Sequence, residues 1–123
     1  MLTERQRSGQ RAEELAAAFL AEAGCEILAR NYRCRLGELD IVARAGAVLV
    51  VAEVRTRASS RYGGAAASVT RLKQRRIARA AAVLLTERRD LGRLPVRFDV
   101  LVVSDPHGAA PAIEWIRHAF ATA

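Results

Sequence analysis

The run Val48–Arg55, VLVVAEVR, limits the fold more tightly than any other part of the chain. Strand side chains alternate faces, so Leu49, Val51, Glu53 and Arg55 share one side and Val48, Val50, Ala52 and Val54 share the other. Both sides are apolar until Glu53, which predicts a central strand with its carboxylate at least partly buried. Burying an unpaired carboxylate costs on the order of several kcal/mol, so Glu53 needs either a cationic partner or a metal.

The flanking sequence supplies layers for such a strand. Apolar residues Ala12, Leu15, Ala16, Phe19, Leu20 and Ala23 recur at helical spacing and predict a helix over 3–23, with Gly24 as its C-terminal cap. Strands are expected over 25–33, 37–43 and 48–55, the last two joined by a tight turn near Ala45-Gly46. After the loop ASSRYGGAAAS comes a second helix over 69–88, ending before Gly92 and Pro95. RFDVLVVS (97–104) reads as a fourth strand, SDPHGAAP as a turn and IEWIR (113–117) as a short final strand. The order α-β-β-β-α-β-β predicts an α/β fold with one mixed central sheet flanked by helices. A length of 123 residues suits a single domain, 1–123.

A net charge of +7 with a pI near 10.9 favours a polyanionic partner, either nucleic acid or an acidic membrane surface. The bland alternative is a small protein that is simply basic. Two cysteines, Cys25 and Cys34, and two histidines without CxxC spacing argue against a zinc site. The charged start MLTERQRSGQRAEEL lacks the apolar stretch of a signal peptide, and no run reaches the length of a membrane span, so a cytoplasmic location is expected.

A second carboxylate accompanies Glu53. Asp40 sits in the strand LDIVA, where Asp is disfavoured. In a hairpin with an even-length loop, residues 40 and 53 point to one face and stand opposed or one diagonal step apart, with Cβ atoms within about 5–8 Å. Two carboxylates that close repel each other, and one divalent cation between them removes the repulsion. The alternative is a salt-bridge cluster in which Arg55 or Arg57 neutralises the pair.

The motifs NYRCRLGELDIVA, LVVAEVRTR, RLKQRR and RFDVLVV, spread from Gly9 to about Phe120, resemble the YraN family of small bacterial proteins, uncharacterised protein family 0102. That family is assigned to the restriction-endonuclease-like PD-(D/E)-x-K superfamily, which includes archaeal Holliday-junction resolvases. The resemblance implies a nuclease acting on DNA, with Asp40 and Glu53 as ligands of Mg²⁺ (or Mn²⁺) and the Val54 carbonyl as a further ligand. The helical Glu of the family's N-terminal motif falls on Glu13, whose helix face with Ala16, Ala17 and Leu20 lets it lean over the same site; the alternative of a solvated helix carboxylate applies better to Glu14. Related resolvases act as dimers, so the resemblance also allows a homodimer. The chain departs from the superfamily pattern at Arg55, where the motif lysine is expected. A guanidinium keeps its proton, so Arg55 cannot act as a general base, but it can bind a phosphate through two hydrogen bonds.

Lys73 shares a helical stripe with Val69, Ile77, Ala80 and Leu84, and so faces the sheet. It is either a relocated catalytic lysine or an amphipathic lysine reaching for solvent. Arg71, Arg75 and Arg79 form a column at four-residue spacing, and Arg57 and Arg61 extend the basic surface. Like charges so spaced destabilise a helix by about 0.2–0.5 kcal/mol per pair, a cost that a phosphate backbone reverses. No aromatics are interleaved, so base stacking and sequence reading are not indicated. Asp99 matches a family motif, and a strand salt bridge is the reading the residues support. Three functions follow in order: a magnesium-dependent nuclease, a nucleic-acid-binding module without catalysis, and a structural protein whose basic helix meets an acidic partner.

Overall fold

The computed structural model describes residues 1–57 and 68–121. Helix α1 (Glu4–Glu22) opens with a capping box: the Thr3 hydroxyl accepts the Gln6 N–H at 3.1 Å, and the Gln6 side chain accepts the Thr3 N–H at 2.9 Å. The chain leaves α1 through Gly24 at φ +95°, a conformation that favours glycine. Strands β1 (Glu26–Cys34), β2 (Gly37–Ala45) and β3 (Val48–Arg57) follow as an antiparallel meander. Helix α2 (Arg71–Glu87), capped by the Thr70 hydroxyl, crosses back over the sheet. A short 3₁₀ turn (Arg89–Leu91), which the sequence did not signal, leads to β4 (Val96–Ser104). Strand β4 pairs parallel to β3, and β5 (Ala112–Phe120) closes the far edge. The sheet order is β1-β2-β3-β4-β5, in agreement with the expected mixed α/β arrangement.

The apolar character of both faces of β3 is explained by two core layers. Val50 and Ala52 pack with Ala12, Ala16 and Leu20 of α1, whereas Leu49 and Val51 pack with Ile77, Ala80 and Leu84 of α2. Among the described residues no helix is long and apolar enough to cross a membrane.

Strand β5 is nine residues long, not the five of 113–117. Asp99 accounts for the extension. It is fully buried and its carboxylate accepts hydrogen bonds from Arg97 (2.9 and 2.8 Å), from the Trp115 indole (2.8 Å) and from the main-chain N–H of His118 (2.9 Å). The β4–β5 register shifts between Phe98 and Val100, and His118 adopts φ +52°. Asp99 therefore satisfies the N–H that this irregularity in β5 removes from the ladder. A strand salt bridge was the expected role; holding the bulge is the part that needed the fold.

Gly37, the first residue of β2, lies against α2 so closely that a Cβ there would stand 2.8 Å from the Arg76 carbonyl oxygen. Gly37→Ala must push that helix turn away from the sheet. It is expected to cost about 1–3 kcal/mol, read as a lower urea midpoint with an unchanged slope.

Candidate active site

The β2–β3 ladder runs from Ala45↔Val48 to Ile41↔Ala52 and stops there. One more step would pair Asp40 with Glu53. At this point β2 also loses its strict alternation: Leu39 and Val42 both pack on the α2 side, while Ile41 packs on the α1 side. In place of a main-chain carbonyl, the Asp40 Oδ2 accepts the Val54 N–H at 2.9 Å. The two strands part, and the gap is closed by a carboxylate.

Glu53 is 5% exposed and faces α2, whose Lys73 places Nζ 2.7 Å from Oε1. The cation beside the carboxylates is thus Lys73. Arg55 and Arg57, the two cations considered in the salt-bridge alternative, are engaged elsewhere. Arg55 donates to the Ser68 carbonyl at 3.1 Å, at the approach to α2, and its buried Nε has no hydrogen-bond partner among the described residues. Arg57 lies within the sheet, donating to the Ser104 hydroxyl at 2.8 Å with Glu114 at 4.0 Å, and its side chain is 15% exposed. It adds little free cationic surface.

Burial, followed by the charge of Glu53, pushes the Asp40 carboxyl up to about 7, while the Val54 N–H and Lys73 oppose the shift. Near neutral pH the metal-free Asp40 carboxyl is therefore only partly ionised. A divalent cation would relieve the same repulsion. Among the described residues no three His, Cys, Asp or Glu side chains gather into a metal-binding group. The donor set, two carboxylates beside a strand end, fits an ion that keeps several waters and takes substrate oxygens, as magnesium does.

Glu13 reaches the same region from α1. Its acidity is weakened first by burial and then by the charge of Asp40, and its buried Oε1 has no hydrogen-bond partner among the described residues. It borders Asp40 without completing a three-carboxylate group. Arg71, Arg75 and Arg79 are all exposed and border a groove of about 670 Å³ between α2 and the end of β5 at Phe120 and Ala121. Arg61 lies outside the described residues. Sequence reasoning passed over Arg33 and Arg76, which both line a second cavity, of about 510 Å³, that Lys73 also lines. The only local signal for it was Gly37 in LGELD, a small residue where two elements meet closely.

Together these features define a small mixed-sheet α/β protein with a buried carboxylate pair where two strands diverge, served by a lysine from the crossover helix. The chain belongs to the uncharacterised protein family UPF0102, whose family model matches residues 12–103. It is 49% identical over 112 residues to a UPF0102 protein of Methylococcus capsulatus, covering 91% of this chain and 89% of that one. A Frankia casuarinae UPF0102 protein is 50% identical over 112 residues, covering 91% and 94% of the two chains. A Legionella pneumophila relative is 38% identical over 115 residues, with 94% and 95% covered.

Proposed function

We propose that this chain is a magnesium-dependent nuclease of the restriction-endonuclease-like class, acting on DNA in the cytoplasm. The observation that carries the reading is the convergence of Asp40, Glu53 and Lys73 at one point. Asp40 and Glu53 would hold the cation, with the Val54 carbonyl beside them, and the bound ion would supply charge to the scissile phosphate and acidify a water. Asp40 is fixed by the Val54 N–H and Glu53 by Lys73, so neither ligand must reorganise when the ion arrives. Lys73 compensates for the arginine at position 55. Its side chain is 40% exposed, and the ammonium held beside Glu53 is set to orient the attacking water and to meet a phosphate oxygen. In the hydrolysis a water oxygen bonds to phosphorus as the bond to the deoxyribose oxygen breaks in line; the water gives up one proton and the leaving oxygen takes one up. Arg55 contributes positive charge and no base. The column Arg71, Arg75 and Arg79 would hold the nucleic-acid backbone, giving strongly salt-dependent affinity.

Cleavage of end-labelled duplex, branched and single-stranded DNA with Mg²⁺ or Mn²⁺ tests the proposal. Asp40→Ala and Glu53→Ala are expected to remove all metal-dependent cutting. Lys73→Gln should lower the rate by about 10²–10⁴ while DNA affinity changes little. Wild-type binding without cutting, with cutting recovered in Arg55→Lys, would instead favour a second reading: a DNA-binding module whose arginine has silenced an ancestral site.

A further inference from the structure

We infer that the cavity between the β1–β2 turn and the first turns of α2 receives an unpaired nucleotide, which makes single-stranded and branched DNA the preferred substrates over continuous duplex. The inference rests on the nuclease reading above and names the substrate class of the same site. The cavity holds about 510 Å³ and is lined by Arg33 from the end of β1, by Gly37, and by Leu72, Lys73, Arg76 and Ile77 around α2. That volume lies within the range of about 300–1,000 Å³ common for ligand pockets.

Its lining matches the divided chemistry of a nucleotide. Leu72 offers aliphatic surface to a base over a floor at the buried Ile77, and Arg33 and Arg76 offer charge to its phosphate, with Glu38 the one carboxylate among the lining residues. Among the described residues no ion pair engages Arg76, and Arg33 has only an exposed partner, Glu38 at 3.5 Å. Lys73 joins the cavity to the carboxylates, because the residue that lines the cavity also holds Glu53 at 2.7 Å. A nucleotide seated there has its neighbouring phosphate within one side chain of the metal ligands.

Two further observations point to an unpaired nucleotide. Leu36, in the turn beside Gly37, is 47% exposed, and Leu72 is 52% exposed. Besides Met1 and Leu2, they are the large hydrophobic residues left in water among the described residues. Proteins that part stacked bases use such aliphatic wedges, and an already unpaired base spares the cost of unstacking. The banks of the cavity are also fixed in place, since Gly37 presses on the Arg76 main chain too closely to admit a Cβ. Among the described residues no aromatic ring lines the cavity, so the contacts these residues offer a base are aliphatic and without sequence preference.

The test is fluorescence anisotropy of the full chain, magnesium withheld, with labelled single strand, blunt duplex and duplex bearing an unpaired flap. The double variant Leu36→Ser/Leu72→Ser and the single variant Arg76→Ala are each expected to lose about tenfold in affinity for the single strand and the flap. The double variant should bind blunt duplex as the wild type does. Its urea midpoint should also be unchanged, because both leucines are half in water. Equal losses on all three substrates, or no loss on any, would overturn the assignment. A wild type that binds none of the three overturns the nuclease reading with it; a wild type that binds and cuts while the variants match it overturns the cavity assignment alone.

Discussion

Asp40→Asn is expected to stabilise the metal-free protein at about pH 8 while abolishing metal-dependent cleavage. The Asp40 carboxyl titrates near 7 in the folded chain against an ordinary value of 3.8. Between those two values the folded state binds more protons than the unfolded one, so stability falls as pH rises through the window and is lowest above it. At about 1.4 kcal/mol per pH unit the full shift sets a ceiling near 4 kcal/mol, of which relaxation of the site leaves roughly half. An asparagine amide oxygen can still accept the Val54 N–H, and its N–H₂ group can donate to Glu53. The substitution should therefore raise the melting temperature by roughly 5–10 °C and flatten its slope between about pH 4 and 7. Magnesium should have the same direction of effect on the wild type at pH 8 and none on the variant. A melting temperature that drops in Asp40→Asn, or a wild-type stability that rises between pH 5 and 8, would contradict the charge crowding at this site.

Asp99→Ala is expected to have the largest effect of the opposite sign, about 3–5 kcal/mol of destabilisation. The loss removes the fully buried acceptor shared by the Arg97 guanidinium, the Trp115 indole N–H and the His118 N–H, and leaves these donors to compete for other partners. Although burial works against ionisation, hydrogen bonds from Arg97, His118 and Trp115 hold the Asp99 carboxyl below its ordinary 3.8. The corresponding stability is complete above that value and is lost as pH falls through it, the reverse of the Asp40 profile. Trp115 is the sole tryptophan, stacked under Arg117 at 3.9 Å and edge-on to Phe19 at 6.1 Å. Its fluorescence during urea unfolding reads the midpoint directly. Asp99→Asn should retain part of the network and fall between the two, and a wild-type midpoint in Asp99→Ala would show that β5 is held by other means.

The contrast between these two aspartates marks how far the sequence could be read. Both occur in strands, where Asp is disfavoured; Asp40 stood out for that reason and Asp99 only through the motif RFDVLVV. Asp40 acquired a partner from local pattern alone, because an even-length hairpin loop and a period of two bring 40 and 53 to one face. Asp99 draws its donors from Arg97 two residues away and from a strand entered more than ten residues later. No periodicity connects it to His118, whose positive φ breaks the alternation by which β5 would have been measured.

The same division holds across the molecule. The chain by itself determined the element order, the burial of β3 on both faces and the carboxylate pair, since these depend on neighbours in a hairpin and on hydrophobic period. Lys73 was legible as a sheet-facing helical residue but not as the partner of Glu53. That contact depends on how closely α2 seats on β2, which is fixed by the missing Cβ of Gly37 against Arg76. Tertiary structure alone decided which cation neutralises Glu53, where β2 and β3 part, and that Arg33 and Arg76 line one cavity. Each of these is a meeting of residues far apart in sequence, set by the packing distance between a helix and a sheet, and such distances leave no periodic trace in a single chain.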